Sequence, residues 1–412
     1  MTRKNEPSLI RATGFAYFPI ALIARFPYAM MVVGVLTLVV SGRGSLALGG
    51  VNSAMVGLGA AICGPLIGAA ADRWGQRPVV LATAIANSLV LLTLAWVVYS
   101  PLADPGVLVT SLLVGATAPQ VSPMSRSRLV GIIDRVFPRA RRPRIMNGTM
   151  AYESSADEIV FVFGPVVVGV LATAFSPAAP IVAAAVLTAV FVTAFALHRT
   201  GRTTRPIERP AGMPPATADI QTQAPARELL GIRLMTITAG ALGMGLFFGS
   251  MLTSLTAFMT DRGAPTEAGL VYGAMGVGSA IFALGVMILP PRFSLRARWL
   301  VFSGIVLLGS LSLPFVRDVP QMAWALLVIG IGIGPTLVTQ YSLGAAYSPR
   351  GRSATVMTIL GSGVIVGQSA ASAITGAIAQ SMGTPAALLT PIVAAAVVAG
   401  AGVMNAALGS RH

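Results

Sequence analysis

At 412 residues, 55% hydrophobic and only 10% charged, the chain lies far from the composition of soluble globular domains. It carries 28 basic against 13 acidic residues, a net charge of +15, yet the arginines sit in short loops between apolar runs. That placement excludes the nucleic-acid reading such a balance has in a soluble protein and marks membrane orientation instead. The single cysteine, Cys63, lies in an apolar run and excludes an internal disulfide framework. Two histidines, His198 and His412, leave zinc or haem almost no ligands.

A spanning helix needs roughly 20 apolar residues. From the N-terminus, such runs predict spans at 15–41, 46–71, 79–100, 106–125, 147–173, 178–198, 234–259, 269–289, 299–316, 321–345, 354–379 and 386–408. The first is long and lacks a small-residue cleavage site, so it is expected to stay as a helix. An even number of spans puts both termini on one side. With the N-terminus inside, the inner segments hold 24 of the 28 basic residues. The outer loops hold Arg43, Arg262 and Arg317, and Arg25 lies within the first span. This bias predicts that both ends are cytoplasmic. Residues 199–232 form the one long polar stretch, rich in proline, and read as a partly unordered linker between halves 1–198 and 233–412.

The stretch Gly64 to Arg77, GPLIGAAADRWGQR, joins the second and third spans through a short charged turn. Gly64 and Gly68 share a face, where another helix can approach closely. Asp72 can accept hydrogen bonds from a neighbouring helix N-terminus, and Arg73 and Arg77 can reach carboxylates or carbonyls. The plainer reading is a tight positive loop at the membrane face. The spacing Gly68-x-x-x-Asp72-Arg73-x-Gly75-x-Arg77 resembles the signature turn between helices 2 and 3 of the major facilitator superfamily of secondary transporters. Pro78 stands where that pattern has a second basic residue. An echo follows the eighth span, Gly285-x-x-x-Leu289, then Pro290, Pro291, Arg292, Arg296 and Arg298, with the acid lost. Parallel six-helix repeats account for such an echo.

The fifth span carries the acids. Glu153 and Asp157 share a face, and Glu158 lies about 100° round from Asp157. Ionisable groups in a span are costly and face partner helices or a wet cavity. Two carboxylates this close do not easily both ionise in low dielectric, so one should hold a proton near neutral pH. That is the material of a proton relay; the other reading is that the acids neutralise arginines at the rim. Arg25 is expected at a depth like that of Asp157, and paired. Arg126 and Arg128 end the fourth span, where snorkelling to headgroups competes with pairing. Arg126 resembles the buried helix-4 arginine of superfamily antiporters and symporters, without its usual flanking Gly-Gln. Gly164-Pro165 with Gly169 resembles the helix-5 motif of the superfamily's antiporters, with Val160 where an upstream glycine is usual. There proline bends the helix and glycine permits close packing.

The resemblance implies an all-α membrane protein whose twelve transmembrane helices form two six-helix pseudo-repeat bundles. Helices 1, 4, 7 and 10 would line a central cavity, which places Tyr28, Met31, Gln120, Phe247, Met251, Thr336 and Gln340 near substrate. Each of these is also ordinary helix-packing material. The expected activity is proton-coupled export of a small hydrophobic or amphipathic molecule across a bacterial inner membrane by alternating access. In motifs it is closest to bacterial drug or metabolite:proton antiporters, with the turn after helix 2 as a gate. Its partners would be a small-molecule substrate, protons and membrane lipid, with no nucleic acid, cofactor or metal, and the chain would be a monomer. The alternative within the same fold is proton-coupled uptake of a sugar or other metabolite. From another class stands a membrane enzyme or sensor without flux.

Overall fold

The computed structural model describes residues 8–204, 223–263, 268–290 and 292–408. Twelve of its helices are long and apolar enough to cross a membrane. They are α1 (Tyr17–Arg43), α2 (Leu48–Trp74), α3 (Gln76–Val97), α4 (Asp104–Val136), α5 (Arg142–Ala174) and α6 (Ala179–Leu197), then α7 (Ile232–Thr260), α8 (Val271–Ile288), α9 (Leu295–Phe315), α10 (Val319–Ala346), α11 (Ser353–Met382) and α12 (Thr384–Ala407). The described residues contain no strand. A backbone in hydrocarbon must bond to itself, and a helix does so within one segment.

Four of these helices are interrupted: α9 at Leu311 and Ser312, α12 at Leu388 and Leu389, and α1 and α4, which bear on the site. In α1, helical pieces Tyr17–Ile23 and Phe26–Arg43 meet at Ala24 and Arg25, with Pro27 in the first turn of the second piece. In α4, Asp104–Ala116 stops before Pro119, and Val121–Val136 resumes beyond it. The second piece corrects one expectation. Arg126 and Arg128 lie well inside a helix that runs on to Val136, not at its end. The apolar run stops near residue 125 because SRSRLVGIIDRV carries four charges, Arg126, Arg128, Asp134 and Arg135. The helix continues because Met124, Leu129, Ile132 and Ile133 bury one face, and the two arginines are buried with them.

By their internal contacts the residues gather into two compact units. The first comprises 1–143, 167–231 and 347–358; the second comprises 144–166, 232–346 and 359–412. The sequence division at 198 and 233 differs from this grouping in two places, 144–166 and 347–358. Helix α5 passes from the second unit to the first just after Pro165, which sits inside it. Of the expected linker, 205–222 lies outside the described residues. On either side, Arg199–Thr204 and Ala226–Leu230 form 3-10 turns, and the Ala224 amide donates to the Arg350 carbonyl at 3.0 Å.

Within the first unit α2 and α4 meet backbone to backbone. A Cβ at Gly115 would stand 1.9 Å from the Val56 carbonyl oxygen, and one at Gly59 would stand 2.2 Å from that of Leu112. In the second unit α8 and α10 meet likewise, with Gly334 against the Ser279 carbonyl and Gly330 against that of Met275. Among helices in lipid such contact replaces the hydrophobic drive, because lipid tails are as apolar as leucine. Gly115→Val should therefore lower stability by about 3 kcal/mol, the upper end for overpacking. Gly169→Ala, where a Cβ has no neighbour within 4 Å, should be nearly neutral. Thermal unfolding of both variants in detergent checks the contrast.

Candidate functional site

Helix α2 ends at Gly75, whose φ of +89° lies where side chains are strained. A Cβ there would touch nothing within 4 Å, so the backbone angle alone asks for glycine. One turn earlier stands Asp72. Its Oδ1 accepts the Ala354 amide at 3.0 Å, and its Oδ2 accepts the Thr355 amide at 2.7 Å and the Thr355 hydroxyl at 2.6 Å. Those amides belong to the first turn of α11, whose donors have no carbonyl within their own helix to bond. A carboxylate there also meets the positive end of the helix dipole. Gly68, four residues before Asp72, makes the approach possible: a Cβ on it would stand 2.1 Å from Thr358 Oγ1 and 2.9 Å from the Ala354 carbonyl oxygen. Small residue and acid thus work as one clasp.

The arginines of the turn play a different part. Arg73 is exposed and its guanidinium lies 5.9 Å from the Trp74 ring centre. Arg77 is half-buried. Neither has a carboxylate partner among the described residues. Among the described residues the echo after α8 makes no equivalent clasp. Gly285 faces open space, and the N-terminus of α5 receives no side-chain cap. Pro291 lies outside the described residues.

The turn is anchored by a residue pair that the sequence did not single out as one. Arg128, fully buried on α4, donates from Nε to Gln76 Oε1 at 3.2 Å. Its Nη1 donates to the Phe195 carbonyl at 2.9 Å and to Thr200 Oγ1 at 3.1 Å, and its guanidinium lies 4.0 Å from the Phe195 ring centre. Buried guanidinium groups persist where several acceptors share their donors. Only Gln76, sitting polar between a helix-ending glycine and an apolar run, could have hinted at this. His198 Nδ1 lies 2.9 Å from the same Thr200 hydroxyl. Burial, followed by the positive charges of Arg128 and Arg199, holds its imidazole below the usual 6.5. Arg126 donates to Ser122 Oγ at 2.7 Å, and the Tyr17 hydroxyl shares a 2.7 Å hydrogen bond with Ser125.

Along α5, Glu153 is wholly buried at 0% exposure and Asp157 is half-buried. The Glu158 side chain lies outside the described residues. Arg25 and Arg126 are buried in the first unit, at 3% and 2% exposure. Gly164 is buried while Pro165 and Gly169 are exposed, so the glycine of this motif that lies on the packed side is Gly164. Of the residues assigned to a cavity, Met31, Gln120, Phe247, Met251, Thr336 and Gln340 are buried and Tyr28 is half-buried. Most have ordinary structural roles: Thr336 donates to the Gly332 carbonyl and Gln120 to that of Ala118. Gln340 differs, since neither polar atom of its buried amide has a hydrogen-bond partner among the described residues.

The family model of the Major Facilitator Superfamily matches residues 17–363. No curated protein sequence matches the chain. Among solved structures, a bacterial homologue of the iron transporter ferroportin in an outward-facing state aligns at a TM-score of 0.75 and 14% identity, over 97% of this chain and 100% of that one. The human organic anion transporter MFSD10 aligns at 0.69 and 16% identity, over 97% and 100%. The fucose:proton symporter FucP of E. coli aligns at 0.63 and 14% identity, over 94% and 98%. At these identities the shared property is the fold.

Two measurements follow from the clasp and its support. Asp72→Ala strips the α11 N-terminus of its acceptor and should cost about 1–2 kcal/mol, with Asp72→Asn between it and wild type; thermal unfolding in detergent gives the order. For His198, the unfolded chain takes up its proton at a higher pH than the folded chain does. Stability is then full above about pH 6.5 and falls as pH drops through that value. Melting temperatures at pH 7.5 and about pH 5.5 should differ less in His198→Gln than in wild type.

Proposed function

The chain belongs to the Major Facilitator Superfamily and is a membrane transporter rather than an enzyme, and from that premise we propose that it exports a small hydrophobic or amphipathic molecule in exchange for protons. One observation carries the coupling. Glu153 is completely buried within a spanning helix, with Asp157 one turn further along the same face. Acids are rarely kept in such places unless they carry protons or bind a partner. Glu153, the more buried, is the first candidate to take up and release the proton, and Asp157 the second. Arg25 and Arg126, buried cations of the first unit, are the further candidates for the coupling machinery.

Asp72 is the candidate gate. Its three bonds to the α11 N-terminus are strong when made, because the acceptor is charged and the donors otherwise lack partners. They also break as a unit, since one side chain supplies every acceptor. Gly68, Gly75, Arg73 and Arg77 complete the turn that carries it. A cycle of alternating access needs a contact of this kind, firm in one state and absent in another. Export is favoured over uptake by the Gly164-Pro165 motif on α5, and the unpartnered amide of Gln340 offers a polar anchor to an otherwise apolar solute. The arginine distribution supports cytoplasmic termini in a bacterial inner membrane, with 1–198 and 233–412 as the two repeats. A monomer suffices for this cycle.

The test uses proteoliposomes with an imposed pH gradient and a panel of lipophilic fluorescent dyes. Wild type should drive at least one dye against its gradient as protons run the opposite way. Glu153→Gln should abolish the gradient-driven movement while dye-for-dye exchange persists. Dye or sugar moving in the same direction as the protons would instead establish symport, the activity named for the structurally similar fucose transporter. Unaltered coupling in both Glu153→Gln and Asp157→Asn would remove α5 from the proton path.

A further inference from the structure

On the surface of the first unit, α2 and α3, with Ala116 of α4, line an open apolar groove of about 610 Å³. Cys63, Leu66, Ala70 and Trp74 line it from α2, at helical spacing along one face, and Pro78 and Ala82 line it from α3. Leu66 and Trp74 are 64% and 66% exposed, so this face belongs to the bilayer. From Cys63 to Trp74 the groove runs eleven residues of helix, about 16 Å at 1.5 Å per residue. One leaflet of a hydrocarbon core about 30 Å thick is about 15 Å deep. Groove length and leaflet depth therefore agree.

The groove ends at the charged turn. Its residues nearest the turn are Trp74 and Pro78, and their chain neighbours are Arg73 and Arg77. Asp72, the acid beside Arg73, is already engaged by the amides of Ala354 and Thr355. No carboxylate pairs with either arginine among the described residues, so two positive charges stand at the mouth of an apolar slot. A tryptophan at the same level suits the headgroup boundary, where its ring is half wetted.

We propose that this groove binds an anionic glycerophospholipid, with one acyl chain along Cys63 to Trp74 and the phosphate on Arg73 and Arg77. The shape takes the chain and the charge selects the headgroup. A second groove, about 730 Å³ in the second unit and lined by Leu308, Phe315, Trp324 and Ala325, supplies the contrast. Its flanking charges, Arg317 and Asp318, cancel, so it accepts a chain without preferring an anionic head. The inference rests on the membrane placement of α2 and α3 and is independent of proton coupling.

Native mass spectrometry of the full chain, released from mixed phosphatidylglycerol and phosphatidylcholine, tests it. Wild type should retain phosphatidylglycerol in preference to phosphatidylcholine. The double variant Arg73→Gln/Arg77→Gln should lose about tenfold in phosphatidylglycerol affinity, with phosphatidylcholine unchanged. Ala82→Trp, at an exposed lining position, should fill the groove and lower phosphatidylglycerol retention, whereas Ala325→Trp should not. Melting curves establish that each variant is folded. The proposal is overturned by wild type showing no headgroup preference, or by either the double arginine variant or Ala82→Trp retaining phosphatidylglycerol as wild type does.

Discussion

In hydrocarbon a polar group has no water to turn to, so its partner must come from the chain itself. At the edge of that region, where burial also keeps water away, Asp72 and Arg128 show two ways this protein meets the same demand. Asp72 gives its acceptors to the open amides of α11, and each group supplies what the other lacks. Arg128 spreads its donors over Gln76, Phe195 and Thr200 and lays its plane on an aromatic ring. Neither side chain hydrogen-bonds to an opposite charge, although the positive charge of Arg352 also acts on Asp72. Buried ion pairs carry a heavy desolvation cost, and polar acceptors that are already fixed in place avoid half of it.

The same demand shapes the helices. Every backbone group inside a helix is satisfied, so helices can be pressed together until carbonyls touch Cα atoms, as they do at Gly59 and Gly115. In the first unit the helices break at Arg25 and before Pro119, near the buried polar residues of α1 and α4. An interrupted helix frees carbonyls and amides, and in a membrane those are tolerated only where protein or a wet cavity receives them. The breaks therefore coincide with the part of the first unit that carries its polar side chains.

In the proposed cycle the clasp and the acids divide the transport problem. A side chain that caps a helix from another segment holds or releases as a whole, which is the property of a gate. An acid in a spanning helix changes its charge with proton occupancy, which is the property of a coupling site. The chain keeps these on different helices, Asp72 on α2 and Glu153 on α5. In that proposed cycle a proton would arrive at one place while the contact that would control access is made at another.

Composition and the period of apolar runs were enough to read twelve membrane helices, because each span must independently be long and apolar enough to cross. The turn at Asp72 was legible in part: a glycine and an acid in register already describe a close approach and a cap, whereas the positive φ of Gly75 came only from the structure. Three further things were not legible. The four charges among residues 126–136 hid the continuation of α4, since a helix buried by neighbours need not be apolar throughout. The partnership of Arg128 with Gln76 joins residues 52 positions apart, and nothing local marks which distant acceptor a guanidinium will meet. Burial of Glu153 ahead of Asp157 depends on which side of α5 its neighbours cover. Hydrophobic pattern acts along one helix and can be summed from the sequence, whereas the partner of a buried charge is chosen by helices brought together only when the chain is folded.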